Sequence, residues 1–125
     1  MIQPRSIVKI ADNTGAKIGR IFKVLGSSKK RTAEIGDIVV LSVQKAEPRK
    51  AVKKKDVLKA VVVRQRKAYR RKDGSYIRFD ENAVVIVTLA KKVYSPVGGR
   101  VFGPFPRELS DMGFQSVISL APEVV

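Results

Sequence analysis

The side chains in this sequence that are best placed to do chemistry are cations, and they occur in three clusters. Arg carries a planar fork of N–H donors that binds phosphate oxygens in pairs, and Lys supplies a compact point charge. Both types therefore suit a ligand with repeated phosphates. The first cluster is Lys29, Lys30 and Arg31, the second is Arg49, Lys50, Lys53, Lys54 and Lys55, and the third is Arg64, Arg66, Lys67, Arg70, Arg71, Lys72 and Arg78.

The charge balance of the chain indicates that the cations bind a polyanionic partner and are not simply exposed to water. The sequence holds 26 Lys and Arg against 11 Asp and Glu, which gives a net charge of +15. Residues 1–80 carry the whole excess, with 22 basic and 7 acidic side chains, whereas residues 81–125 carry 4 of each. Self-repulsion at this charge is unfavourable for a small domain. We therefore predict that the cations bind the phosphate backbone of a nucleic acid. Proteins that bind membrane surfaces and other anionic polymers share this composition.

Most catalytic chemistry is excluded or unsupported by the sequence. The chain has no His and no Cys, which removes imidazole acid–base chemistry, thiolate nucleophiles and the commonest metal ligands. The carboxylates are scattered beside turns without a spacing that suggests a pair, so a metal-dependent nuclease is the enzyme alternative but not the favoured one. We predict no catalysis, no cofactor and no metal. The sequence has no signal-like segment and no apolar stretch of about 18 residues, which predicts a soluble protein. We expect it in the cytoplasm, with an organelle as the less favoured alternative if a transit segment has been removed.

The elements that must position the clusters are mostly strands. Short β-branched runs separated by turn-forming residues predict strands at Ile7–Ala11, Ile18–Leu25, Ile38–Val43, Val57–Val63 and Ala83–Leu89. Five strands at this spacing predict a small, closed or partly open β-barrel, which removes exposed edges. We expect one domain over residues 1–125, with the barrel and its basic loops in 1–90 and a C-terminal part in 91–125.

The third cluster lies on a predicted β-hairpin that projects from the barrel. Asp73-Gly74 is a favoured type I′ turn sequence, and it joins two β-forming runs. Tyr69 and Tyr76 flank this turn. They could stack on splayed bases, but we favour the alternative in which they form a cross-strand pair that supports the ribbon.

The C-terminal part contains a predicted short helix and a possible last strand. Pro106 near the start and Gly113 at the end bound the helix, and the segment from Ser116 could return as a strand that ends at Pro122. Phe102, Phe105 and Phe114 lie close to the helix, so some of these rings must pack beneath it.

Several blocks, in order, resemble the bacterial ribosomal protein L-fourteen family. They are MIQPRSIVKIADNTGAK, KVLGSSKKRTAEIGDIVV, VKKKDVLKAVVVR, RRKDGSYIRFDENAVVIV and GRVFGPFPREL. The family signature is an aliphatic triplet after a small residue, a basic spacer, Asp-Gly, an aromatic residue, Asn and further aliphatics. Ala60, Val61, Val62, Val63, Asp73, Gly74, Phe79, Asn82 and Val84 to Ile86 occupy those places.

This resemblance implies a mainly β fold: a five-stranded β-barrel, a projecting β-ribbon and a C-terminal part with short helices. It also implies a structural, non-catalytic role in the large ribosomal subunit, at the face that meets the small subunit. The expected partners are large-subunit ribosomal RNA, small-subunit ribosomal RNA across the interface in inter-subunit bridges, the large-subunit proteins L-three and L-nineteen, and the ribosomal silencing factor.

The sequence departs from the family pattern in the region expected to meet the silencing factor. Gly99 stands where members have Thr, Ser110 follows Leu109 in place of Arg, and Ser116 stands where members have Lys. We predict a protein-partner surface at Gly99, Arg100, Arg107 and Ser116, and weakened binding of the silencing factor there.

The alternative from another functional class is a stand-alone nucleic-acid chaperone or translation factor on a similar barrel. Such modules usually expose aromatic side chains on one sheet face, and aromatic residues make up only 6% of this chain. We therefore favour the structural ribosomal protein.

Overall fold

Strands dominate the structure, which is a computed structural model that describes residues 2–26, 32–48, 50, 52–90 and 93–125. The elements in chain order are β1 Ile7–Ile10, β2 Ala16–Val24, β3 Ile38–Ala46, β4 Val57–Arg64, β5 Tyr69–Arg70, β6 Tyr76–Ile77, β7 Ala83–Ala90, β8 Val93–Pro96, β9 Pro104–Phe105, α1 Glu108–Asp111, α2 Gln115–Leu120 and β10 Glu123–Val124. The five predicted strands correspond to β1, β2, β3, β4 and β7, so the prediction of a mainly β fold is confirmed.

Five of these strands close into a barrel. The sheet runs in the order β1-β2-β3-β4-β7, and β7 pairs in parallel with β1 to complete the circle. The partners in this closing pair are Lys9 with Ala83 and Ile10 with Val84. Farther along, the same edge of β7 pairs with β8, which is the one strand beyond the barrel in this sheet. The predicted five-stranded barrel is therefore confirmed.

Two apolar clusters lie on either side of the barrel wall. Alternate residues of β4 and β7, such as Val62 and Ile86, point into the barrel, where they pack against Ile21 and Leu41. The intervening residues, such as Val61, pack outside against the C-terminal part. Residues 60–64 of β4 and 83–87 of β7 are buried on both faces for this reason, which explains why their sequences are nearly continuous aliphatic runs rather than alternating ones.

The C-terminal part covers the outer face of β4 and β7. Phe105, Leu109, Phe114 and Val117 are buried in the outer cluster, whereas the Phe102 ring is 47% exposed. Two of the three Phe rings thus pack as expected, and each contributes roughly 2–3 kcal/mol of burial free energy. The structure contains no helix that is both long and apolar enough to span a bilayer, as judged from the described residues.

The predicted strand from Ser116 is wrong, because this segment forms α2. Phe114 and Val117 lie three residues apart and are both buried, which is the spacing of one helix face. Packing of that face on the barrel overrides the β-branched composition of the segment. The chain forms a strand only after Pro122, where β10 pairs in parallel with β9.

The turn of the hairpin formed by β5 and β6 also differs from the prediction. A type I′ turn needs positive φ at both central residues, but only Gly74 has it, at 90°. The Gly74 N–H donates to the Arg71 carbonyl at 3.1 Å, and the Arg71 N–H donates to the Ser75 carbonyl at 2.8 Å. This is a three-residue loop with a type I turn and a glycine bulge. Asp73 favours it, because its Oδ1 accepts hydrogen bonds from both the N–H and the hydroxyl of Ser75.

Candidate nucleic-acid interface

The loop between β3 and β4 presents part of the second basic cluster on a tight turn. The Asp56 N–H donates to the Lys53 carbonyl at 3.2 Å, and the Lys53 N–H donates to Asp56 Oδ2 at 2.9 Å. Lys53, Lys54 and Lys55 are all exposed. Within the part of the chain that the structure describes, none of the three forms an ion pair. The turn therefore offers three cations that no carboxylate neutralises.

Lys55 has a backbone conformation that L-residues rarely adopt. Its φ is 73°, in the left-handed region, which costs an L-residue roughly 1–2 kcal/mol. The turn before β3 is built in the same way, since the Glu34 N–H donates to Asp37 Oδ2 at 2.8 Å. That turn has Gly36 at the equivalent position, with φ of 91°. Gly at position 55 would relieve this strain but would remove one exposed cation from the turn.

The basic loop is braced against a neighbouring turn. The Val52 N–H donates to the Thr14 carbonyl at 3.2 Å, and the Glu47 N–H donates to the Gly15 carbonyl at 2.7 Å. Lys50 packs so closely on Gly15 that a Cβ at position 15 would lie 2.2 Å from the Lys50 Cβ. Lys50 itself is exposed. The backbone that carries these cations is therefore held in place rather than free to adapt.

The barrel wall carries exposed cations that our sequence analysis did not select. In the strand register, Lys59 on β4 is partnered with Val40 on β3, and Val40 with Lys23 on β2, so the two cations lie in one row on the outer face. Among the described residues of the barrel strands, the exposed cations are Lys9, Lys17, Arg20, Lys23, Lys45 and Lys59. A two-residue alternation does not mark these cations in the sequence of β2, because Lys17, Arg20 and Lys23 are three residues apart and the pairing of β2 with β3 contains register shifts.

The hairpin divides its cations between solvent and the protein interior. Arg70 and Lys72 are exposed and form no ion pair within the described residues. Arg71 lies between them but points inward, with its Nε 2.7 Å from Glu108 Oε1 on α1. The structure therefore gives Arg71 an internal contact in place of the phosphate contact that we predicted.

The two Tyr residues of the hairpin do not form the cross-strand pair that we favoured. Tyr69 is paired with Ile77 and packs on the outer apolar cluster, whereas Tyr76 is paired with Arg70. Burial raises the pKa of the Tyr69 hydroxyl, and the nearby Glu108 carboxylate raises it further. The Tyr76 ring is 67% exposed, beside Arg70. This leaves Tyr76 free to stack on a base.

Arg64, also assigned to phosphate binding by our sequence analysis, is buried. Its Nη1 donates to the Phe102 carbonyl at 2.8 Å and to the Pro104 carbonyl at 3.1 Å, and its Nη2 donates to Glu81 Oε1 at 3.2 Å. The guanidinium also lies over the Phe105 ring, 5.6 Å from its centroid. Burial lowers the pKa of Arg64, and the attraction to Glu81 opposes this. Arg64 thus clamps the C-terminal part to the barrel and cannot reach phosphate.

The remaining predicted cations are either exposed or outside the described residues. Arg66, Lys67 and Arg78 are exposed, and the Arg66 N–H donates to Asn82 Oδ1 at 2.9 Å, which fixes the base of the hairpin. Four predicted phosphate ligands lie outside the part of the chain that the structure describes: Lys29, Lys30, Arg31 and Arg49.

The predicted protein-partner residues occupy distinct environments. Gly99 is exposed, and a Cβ built there would have no atom within 4 Å. Arg100 and Arg107 are exposed, and the Arg100 N–H donates to Asn13 Oδ1 at 3.2 Å. The Ser116 hydroxyl oxygen is buried and has no hydrogen-bond partner among the described residues. Position 99 is therefore open to a larger side chain, whereas one at position 116 must turn outward.

Acidic groups near the interface serve structural purposes. The hydrogen bond from Lys9, 2.9 Å from Glu81 Oε2, and the charge of Arg64 hold the pKa of Glu81 below its usual range. No group of three or more Asp or Glu side chains that could hold a metal occurs within the described residues. Asp12, Asp56 and Glu81 act as hydrogen-bond acceptors or ion-pair partners for the protein itself.

Comparison with known families assigns the whole chain. The family model for ribosomal protein L14p/L23e matches residues 1–125. A closed barrel and an exposed basic surface agree with this match. The chain belongs to the ribosomal protein L14p/L23e family and is a structural protein of the large ribosomal subunit.

Proposed function

We propose that this protein binds large-subunit ribosomal RNA by electrostatic clamping and performs no catalysis. The barrel acts as a rigid mount, and its exposed cations neutralise phosphates of strands that would otherwise repel one another. The observation that carries this proposal is the set of exposed cations without a carboxylate partner among the described residues: Lys50, Lys53, Lys54, Lys55, Arg70 and Lys72.

The strand directions support a contact with RNA that extends over much of the barrel rather than being confined to one loop. β4 starts after the Lys53–Lys55 turn and ends before the hairpin, so these two basic features lie at opposite ends of the barrel. The row formed by Lys23 and Lys59 lies on the wall between those ends. Such a distribution suits folded RNA, whose phosphates approach a protein from several directions.

The first prediction concerns the salt dependence of RNA binding. Each neutralised phosphate contributes about −0.7 to −0.9 to the slope of log affinity against log salt concentration. We expect the Lys53→Ala/Lys54→Ala/Lys55→Gly variant to flatten the slope by roughly two units. Gly is chosen at position 55 because it tolerates the positive φ. The measurement is a titration of a large-subunit ribosomal RNA transcript at several salt concentrations.

Arg100→Ala is the matched control for that titration, because it removes one exposed cation from the part of the chain with no net charge. We expect its slope to equal that of the wild type. If the triple variant keeps the wild-type slope, the turn does not face RNA and the proposed interface is wrong.

We also propose that the protein lies at the subunit interface, near L-three, L-nineteen and the small-subunit ribosomal RNA, and that its C-terminal part can receive the silencing factor. The exposed surface around Gly99 and Arg100 supports a contact with protein, since residues 81–125 carry no net charge.

The second prediction concerns the silencing factor of a species that has the usual family pattern. We expect this factor to bind the wild type poorly and the Gly99→Thr/Ser116→Lys variant at least about tenfold more tightly, which is roughly 1.4 kcal/mol. Gly99→Thr introduces a hydroxyl into open space, so it should act alone, whereas Ser116→Lys must first turn its side chain outward. The measurement is a titration without RNA of the wild type, both single variants and the double variant. Equal affinities for all four would place the contact elsewhere.

A further inference from the structure

Arg71 and Glu108 form an ion pair that joins the hairpin to the C-terminal part. Arg71 Nε lies 2.7 Å from Glu108 Oε1, and the two side chains are only 12% and 15% exposed. The contact is ionic rather than a well-aligned hydrogen bond, since Arg71 Nε and Glu108 Oε2 have no hydrogen-bond partner among the described residues. Glu108 therefore neutralises the charge of Arg71, and the fold shields most of the Arg71 side chain from solvent.

A second bond attaches the same side chain to the end of the fold. Arg71 Nη2 donates to the main-chain oxygen of Val125 at 2.6 Å. The Val125 N–H in turn donates to the Phe105 carbonyl at 2.9 Å, and Phe105 is fully buried. One guanidinium therefore connects the hairpin to α1 and, through Val125, to the outer apolar cluster.

The Arg71 contacts add to the packing of Tyr69 on the outer apolar cluster, and the short strands of the hairpin do little to fix its direction by themselves. β5 and β6 have two residues each, and an isolated two-stranded hairpin is at best marginally stable in water. Its base is fixed by the Phe79 N–H, which donates to the Gln65 carbonyl at 3.0 Å. Beyond the base, a cavity of about 420 Å³ lies between the hairpin and α1 and is lined by residues of both. The Arg71 contacts cross this gap near the tip.

We propose that Arg71 is a positioning residue for RNA binding, and that its pair with Glu108 holds the hairpin so that Arg70 and Lys72 meet RNA phosphates. This inference rests on the proposed RNA-binding function. Under this proposal Glu108 strengthens RNA binding, although its carboxylate has the same sign of charge as RNA.

The sign of the Glu108 effect separates this role from direct phosphate contact. If Arg71 were itself a phosphate ligand, Glu108→Gln would release the cation, remove a negative charge and tighten RNA binding. If Arg71 is a positioning residue, the same change loosens the hairpin and weakens binding. We expect Glu108→Gln to weaken binding of the large-subunit ribosomal RNA transcript by about five- to tenfold, equivalent to about 1–1.4 kcal/mol.

The salt slope provides a second, independent readout. We expect Arg70→Ala to flatten the slope by about one phosphate contact, or 0.7 to 0.9 units. We expect Arg71→Ala to lower the affinity while leaving the slope close to that of the wild type. Arg71 contacts no phosphate in this proposal, and a loosened hairpin still brings Arg70 and Lys72 to the same phosphates once bound, at an added cost in ordering. Hydrogen exchange should show faster exchange of the Arg71 and Gly74 amides in Glu108→Gln, with the barrel amides of β4 unchanged.

Two further variants keep the test decisive. Asp111→Asn is the matched control, since it neutralises an exposed carboxylate on the same helix, and it should leave binding unchanged or slightly tighter. The exchanged pair Arg71→Glu/Glu108→Arg should bind more tightly than Arg71→Glu alone, because it restores the ion pair but not the bond to Val125. Tighter binding by Glu108→Gln, or a flattened slope for Arg71→Ala, would overturn the positioning role. A wild-type protein that shows no salt-dependent RNA binding would instead overturn the proposed function.

Discussion

Replacement of Arg64 by Ala should lower the free energy of unfolding by about 3–5 kcal/mol, the cost of breaking a buried charged network. The substitution leaves the carbonyls of Phe102 and Pro104 without their donor and removes one partner of Glu81. A small domain has a total stability of only about 5–15 kcal/mol, so the variant should be partly unfolded under mild conditions. Urea unfolding of the wild type and the variant measures the difference.

Arg66→Ala is a matched control for this prediction. Arg66 lies two residues away but is exposed, and only its backbone N–H takes part in the fold. We expect its stability to remain within about 0.5 kcal/mol of the wild type. Equal stabilities of the Arg64 and Arg66 variants would show that Arg64 does not clamp the C-terminal part.

Replacement of Asp12 by Ala should cost about 3 kcal/mol, since it leaves buried N–H donors without an acceptor. Asp12 Oδ2 accepts from the Ile86 N–H in the middle of β7 at 3.0 Å, and Oδ1 accepts from the Thr14 N–H and hydroxyl. The carboxylate therefore ties the turn between β1 and β2 to the strand that closes the barrel. Thermal or urea unfolding of Asp12→Ala beside the exposed Asp80→Ala tests this, and equal midpoints for the two variants would contradict it.

The pH dependence of Asp12 has a definite sign. Burial raises the pKa of Asp12 in the folded state, although its three hydrogen bonds lower it in part. The folded protein therefore holds this proton to higher pH than the unfolded chain, whose Asp pKa is about 3.9. Protonation of Asp12 therefore adds to the free energy of unfolding. This stabilisation is fully present below the unfolded-state pKa and is lost as pH rises through the folded-state pKa. Asp12→Asn should abolish this part of the pH dependence, and a pH series of urea midpoints would detect it.

The hairpin shows why a charge cluster in sequence overestimates an interface. Arg70, Arg71 and Lys72 are consecutive and chemically alike, so no local pattern separates them. The type I turn with its glycine bulge and the placement of α1 bring Glu108 against the middle residue and leave the outer two exposed. That partner lies 37 residues farther along the chain, so only the fold brings the two together.

The sequence by itself determined the strands, the barrel and the kind of partner. β-branched runs between turn-forming residues place β1, β2, β3, β4 and β7 because these patterns act over a few residues. The chain has 26 cations and 11 carboxylates, and this imbalance implies a polyanionic partner whatever the fold. The absence of His and Cys excludes imidazole and thiolate chemistry without any structure.

Only the tertiary structure decided which cations are free to bind. Arg64 is buried and Arg71 is paired against residues distant in sequence, while Lys23 and Lys59 come to lie in one exposed row through strand register. The segment from Ser116 became α2 because its apolar face packs on the outside of β4 and β7. In each case the deciding free energy comes from burial and pairing across the fold, which local propensity does not contain.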